Sequence, residues 1–226
     1  MEKLGTTTLG AKKFDTKKLV LLAVLAAIAY LVVFVFRIPV VAFLKYEPKD
    51  VIITIAGFIF GPLSSIMISF VVSLVEMVTI SETGPIGAIM NFISTVAFAG
   101  TAAFIYKKAH TMKGAVIGLL TGTVVMTVLM LLWNYLITPI YMGVPRVKVE
   151  EMLLPVFLPF NLFKAGLNTA FTLIIYKPLI NILRKSHILP PAADTVAVKK
   201  QNIIIIYVFA AFLIGTCVAV FYFINR

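Results

Sequence analysis

Asn161, Lys164 and Asn168 recur at i, i+3 and i+7, so one face of one helix carries two carboxamides and an ammonium. The stretch around them is otherwise apolar. An ammonium at the centre of a bilayer costs about 2.5–3.5 kcal/mol on insertion scales, so such a group faces an interior partner and not lipid. Other apolar stretches hold Thr123, Thr127, Asn134 and Thr138, spaced four, seven and four, then Ser65, Ser69, Ser73 and Glu76, and also Asn91 and Thr95. One reading makes these hydrogen-bonding glue between helices, about 0.6 kcal/mol each, with Glu76 neutralising Lys164. The other gathers Asn134, Asn161 and Lys164 into a ligand pocket near the outer surface, because Asn161 follows Pro159 close to the start of its stretch. A carboxamide both donates and accepts, which complements the imide edge of a uracil- or flavin-like ring, and the ammonium donates to carbonyl or hydroxyl oxygens. Phe43, Tyr46, Trp133, Tyr135, Phe157 and Phe160 stand nearby in sequence. Some of these rings can line an apolar slot, while most suit an interfacial belt or helix packing.

Seven apolar stretches could position these groups, at 19–36, 51–60, 63–80, 86–106, 115–140, 154–183 and 203–224. A helix needs about 20 residues to cross the hydrocarbon, so the ten residues of 51–60 read as a short, tilted or re-entrant segment. Residues 40–50 read as a mixed loop and 141–152 as another. The whole chain has 226 residues, 61% hydrophobic and 13% charged, far from a soluble domain with about a quarter of its residues charged. The class is an all-α integral membrane protein. With the N-terminus in the cytoplasm, thirteen Lys and Arg fall inside and six outside, with Lys164 in the membrane, which obeys the positive-inside rule. Glu47, Asp50, Glu82, Glu150 and Glu151 then fall outside. Ala23, Ala26, Ala27 and Ala29 cluster in the first stretch, and the pair Ala23/Ala27 allows close helix approach, internal or to a partner.

Much is absent from the sequence. There is no G-x-x-x-x-G-K-[ST] loop for nucleotide phosphates, no H-E-x-x-H and no G-x-S-x-G. His110 and His187 lie in basic stretches without carboxylate or thiol neighbours at metal-ligand spacing. The expectation is a chain that is not an enzyme, with no metal, no cofactor and no nucleic-acid partner, its charge of +11 serving cytoplasmic loops and anionic lipid.

Phe43-Leu44-Lys45-Tyr46-Glu47-Pro48-Lys49-Asp50 followed by Gly57-Phe58-Ile59-Phe60-Gly61-Pro62 resembles the riboflavin-type substrate-binding S component of bacterial energy-coupling factor (ECF) transporters. So do Thr83-Gly84-Pro85-Ile86-Gly87, Asn134-Tyr135 and Asn161-Leu162-Phe163-Lys164, in order, across about 15–184. The resemblance implies a six-helix core over 19–185 in the bacterial cell membrane, entered from a basic cytoplasmic tail at 1–18. It departs from the family in the linker 186–202 and an additional C-terminal helix at 203–226. It implies riboflavin captured from outside and carried inward as the subunit topples, with a transmembrane T component and two cytoplasmic ATPases as partners. Implied ligand contacts are Asn134, Asn161 and Lys164, with the loop around Leu44 and Lys45 closing above; Asn91 and Tyr135 are further candidate contacts read from the sequence itself. Ala23, Ala26 and Ala27 match the docking surface for the T component. An S component for another vitamin, or a proton-coupled transporter switching through Glu76 and Lys164, remain alternatives.

Overall fold

The computed structural model describes residues 16–41 and 44–186, together with residues 207, 210, 211, 214 and 215. The tail before Thr16, Phe43, the linker beyond Ser186 and, those five positions apart, the expected seventh span lie outside the described residues. The elements are α1 (Thr16–Val35), β1 (Ile38–Val41), β2 (Leu44–Tyr46), α2 (Lys49–Phe60), α3 (Pro62–Thr79), α4 (Gly84–Thr95), α5 (Thr101–Ala109), α6 (Met112–Met142), α7 (Arg146–Met152) and α8 (Leu158–Lys185). A π-helical turn, Val96–Gly100, joins α4 to α5, and a second, Leu153–Phe157, joins α7 to α8.

In lipid every backbone polar group must be satisfied within its own segment, so apolar runs of this length fold as helices. Five stretches among the described residues are long and apolar enough to cross: Thr16–Val35, Pro62–Thr79, Gly84–Ala109, Met112–Met142 and Arg146–Ile182. The sixth helix of the bundle, α2, is the short segment foreseen at 51–60, and it begins earlier, at Lys49. Its twelve residues reach only about 18 Å at 1.5 Å per residue. Nine of them are buried, because α1, α3, α5 and α8 pack around it. Gly61, at φ 94°, supplies the backbone turn that side chains resist. Pro62 then opens α3 at a position where its missing N–H costs nothing.

Two stretches read as loops carry structure. Ile38–Val41 and Leu44–Tyr46 pair as an antiparallel hairpin, Ile38 opposite Tyr46 and Val41 opposite Leu44. Its β-branched and aromatic residues suit a pleated, half-buried ribbon, and Pro39 is tolerated where the ribbon has no further neighbour. Val40, Leu44 and Tyr46 bury against Val149, Phe157, Phe160 and Phe163, seating the hairpin on α7 and α8. Residues Arg146–Met152, expected as loop, are helical, and the π turn that follows contains Pro155. A proline removes a backbone donor inside a helix, and an inserted residue lets the ladder continue around it.

The tightest approach is made by α6. A Cβ added at Gly118 would stand 2.7 Å from the Ala102 carbonyl oxygen, and one at Gly122 would stand 2.6 Å from that of Phe98. Glycines four apart thus bring α6 against α5 and the first π turn at backbone distance. Gly122→Ala must push that backbone away, and overpacking of this kind costs about 1–3 kcal/mol. The melting temperature in detergent should fall clearly below wild type, and an unchanged melt would mean that the contact has slack.

Candidate functional site

The charged residues that open α2 govern this end of the bundle. Pro48 fixes the turn after the hairpin and sends Lys49 and Asp50 into the first turn of a buried helix, so both side chains enter the interior. Lys49 Nζ lies 2.6 Å from Glu76 Oε1, closer still to Glu76 Oε2, and 2.9 Å from Glu47 Oε2. Asp50 accepts from Thr95 Oγ1 at 2.6 Å and Asn168 Nδ2 at 3.1 Å, and its Oδ2 lies 3.4 Å from Lys164 Nζ. Tyr46 donates to Asn168 Oδ1 at 3.1 Å. Asn91 Nδ2 bridges the two glutamates, 3.2 Å from Glu76 Oε2 and 3.4 Å from Glu47 Oε2. Arg37, just past α1, bonds Glu47 Oε1 at 3.0 Å and caps the carbonyl of Ile80. Glu47, Lys49, Asp50, Glu76 and Lys164 are all buried. Burial alone would raise the Glu47 carboxyl, but Lys49, Lys164 and Arg37 together hold it below the ordinary carboxylate range.

Above this cluster lies a cavity of about 50 Å³, walled by Asn91 and Ser94 of α4, Met130 and Asn134 of α6, and Phe160, Asn161 and Lys164 of α8. The hairpin contributes Leu44 and Lys45 from above, and Arg37, Glu47, Glu82 and Thr83 complete the lining. The space suits a few waters, whereas sites for drug-sized ligands enclose about 300–1,000 Å³. Asn134 donates to the Met130 carbonyl at 2.7 Å and accepts from Thr138 at 2.8 Å. Asn161 donates to the Phe157 carbonyl at 2.7 Å. Each carboxamide has a second N–H beyond the one spent on its own helix.

Of the residues singled out from sequence, Leu44, Lys45, Asn91, Asn134, Asn161 and Lys164 meet around this one cavity. Tyr135 does not line it: the next position on a helix points about 100° away, and its ring carries the Arg146 guanidinium at 5.0 Å. Asn168 lies deeper, in the Asp50 network. Glu76 pairs with Lys49 and Lys164 with Asp50, so the suggested Glu76–Lys164 pair is not made. Lys49, Asp50 and Glu47 were assigned to an outer loop and are instead buried. The signal was available, since two charges inside apolar stretches, Glu76 and Lys164, each require a counter-charge, and the nearest supply stands before a helix too short to span. Lys49 has two buried carboxylates as partners. Lys49→Met strands them, and breaking a buried pair on one side costs about 3–5 kcal/mol. Adding Glu76→Gln should recover part of the lost melting temperature, and a double variant no better than the single would refute the pairing.

The family ECF transporter, substrate-specific component, matches residues 17–176. The chain is similar to the riboflavin transporter FmnP of Bacillus subtilis (strain 168), 33% identical over an alignment 186 residues long, with 76% of this chain and 98% of the relative covered. It is similar to the riboflavin transporter RibU of Staphylococcus aureus (strain TCH60), at 29% identity over 76% of this chain and 94% of the relative. A solved structure, described as the S component of a bacterial ECF transporter, aligns with TM-score 0.65 and 30% identity, covering 75% of this chain and 98% of its own. With the family matched over most of the described bundle and the fold shared, this chain belongs to the substrate-specific components of ECF transporters.

Proposed function

We propose that this chain binds riboflavin on the outer side of a bacterial cell membrane and delivers it inward as the S component of an ECF transporter. The N-terminus is cytoplasmic, a T component and two ATPase subunits are its partners, and ATP hydrolysed by them supplies the energy. The observation that carries the reading is the convergence of Asn134, Asn161 and Lys164 on one cavity beneath Leu44 and Lys45, supported by relatives named as riboflavin transporters. The ring's imide edge alternates acceptor, donor and acceptor. The two carboxamides match that alternation, and the Lys164 ammonium donates to a carbonyl or hydroxyl oxygen. No bond is made or broken in this reading; the chain's work is selective capture. The cavity as it stands is too small for three fused rings, so the hairpin lifts for entry and closes over the ligand. Asp50 keeps Lys164 at the wall by pairing with it from behind.

On α1, Ala23 and Ala27 are exposed one turn apart and Ala26 is half-buried beside them. This small-residue strip supports the reading of α1 as the face that meets the T component. Binding and coupling therefore separate by mutation. Asn161→Ala removes a hydrogen-bond partner worth about 1–1.5 kcal/mol or more in a buried site, so riboflavin affinity read by fluorescence quenching should drop about tenfold. Unchanged affinity would remove Asn161 from the site. Ala27→Leu should leave quenching intact and abolish uptake by the chain reconstituted with T component and ATPases. Uptake at the wild-type rate would move the docking face elsewhere.

A further inference from the structure

The cations lining the cavity are already matched. Arg37 Nε lies 3.0 Å from Glu47 Oε1, Lys45 Nζ 2.5 Å from Glu82 Oε1, and Lys164 Nζ 3.4 Å from Asp50 Oδ2. Behind them Lys49 sits between Glu47 and Glu76. Four cations meet four carboxylates, and the cluster closes its charge on itself. The pairs differ in depth. The Glu47 side chain is 4% exposed and that of Asp50 0%, whereas that of Glu82 is 69% exposed.

A phosphate ester brings about −1.5 to −2 charges at pH 7. Inside the cavity it would face the Glu47 carboxylate on the wall. To gain a cation it would have to draw Arg37 from Glu47, leaving that buried carboxylate to Lys49 alone, or Lys164 from Asp50, leaving Asp50 only the neutral donors Thr95 and Asn168. Lys45 is less tightly committed, since water can take over the exposed Glu82. Uncharged hydroxyls make no such demand, because each can donate to a carboxylate that stays within its pair.

We propose that Glu47 makes this cavity selective for an uncharged, hydroxylated ligand and against the phosphate ester of the same ligand, with the Lys45–Glu82 pair as a weaker second determinant. This rests on the flavin reading above and deepens it by assigning the charge state of the ligand. Glu47 acts as a specificity determinant through its charge, held in place by Arg37, Lys49 and Asn91.

The test uses the full chain in mild detergent, with riboflavin and riboflavin 5′-phosphate as probes and fluorescence quenching as the readout. Like-charge juxtaposition in a desolvated site should favour riboflavin by about tenfold or more. Glu47→Gln keeps the shape and removes the charge, and should narrow that preference by about fivefold. Glu82→Gln frees Lys45 and should narrow it less, in a manner that fades with salt. The wild-type preference should also shrink from pH 7 to pH 5, as the ester loses its second charge (pKa about 6) while its size is unchanged. That pH series decides the matter even where Glu47→Gln does not fold. Equal or tighter binding of the ester by wild type overturns the proposal, as does a preference indifferent to pH or to Glu47→Gln. Quenching by neither flavin overturns the flavin reading and this one with it, whereas quenching by both alike overturns this one alone.

Discussion

A charge taken out of water inside a membrane has to find its opposite there, and in this chain Lys49 is where that requirement is met. Its ammonium sits between Glu47 at the root of the hairpin and Glu76 in α3. The contact therefore ties the hairpin, α2 and α3 at one point. Remove the lysine and two carboxylates are stranded; remove the carboxylates and a helix begins with a naked cation in an apolar core. Asp50, the next residue, does the same work toward the other side of the bundle, collecting Thr95, Asn168 and Lys164. Two consecutive residues thus fix how α3, α4 and α8 stand about the start of α2. Buried pairs of this kind are weak evidence for stability as such. What they supply here is geometry, because few other arrangements satisfy all the partners at once.

That geometry depends on α2 being short. A helix of full membrane length would carry its first turn to the interface, where Lys49 and Asp50 would meet water and have no need of Glu76 or Lys164. Twelve residues stop part-way, so the charged turn ends at depth and the volume above it is left to the hairpin. The cavity is what the hairpin, packed by its apolar face on α7 and α8, does not fill. The π turns serve the same end. Val96–Gly100 sits immediately after Thr95, and Leu153–Phe157 contains Phe157, whose carbonyl receives Asn161. Each adds a residue to a helix beside a polar wall residue and resets the helical phase there.

The apolar runs placed the long spans well in sequence, since length and hydropathy are local properties. The polar stripe at Asn161 and Lys164, and Asn134 on another helix, were legible because a polar group in an apolar run is conspicuous one residue at a time. Tyr135 stands beside Asn134 in sequence, yet neighbours on a helix face different ways, and its ring meets Arg146 instead. Charge pairing was not legible in the same manner. Glu76 with Lys164 and Glu76 with Lys49 are equally good on paper, and only the depth of α2 decides between them. The hairpin was hidden for a related reason: its strands are four and three residues long, too short for period-two alternation to stand out. Its register depends on apolar seating against Phe157 and Phe160, far away in sequence. Gly118 and Gly122 take their meaning only from the carbonyls of Ala102 and Phe98, which the fold brings against them.

The closed cavity also constrains how a ligand of three fused rings gets in. The walls made by α4 and α8 are tied into the Asp50 and Glu76 networks, and moving either breaks hydrogen bonds in a medium with no water to replace them. The hairpin is held differently. Its outer tie, Lys45 to Glu82, is exposed and worth about 0–1 kcal/mol, and its apolar seat can slide at the cost of one buried hydrogen bond, Tyr46 to Asn168. Its inner tie is Glu47, which belongs to the buried cluster through Lys49. The lifting proposed above therefore places the hinge at the root of the hairpin, between Arg37 and Glu47. Glu47 is also the carboxylate on the cavity wall, so such an opening would admit a ligand without releasing the charge that the ligand must tolerate.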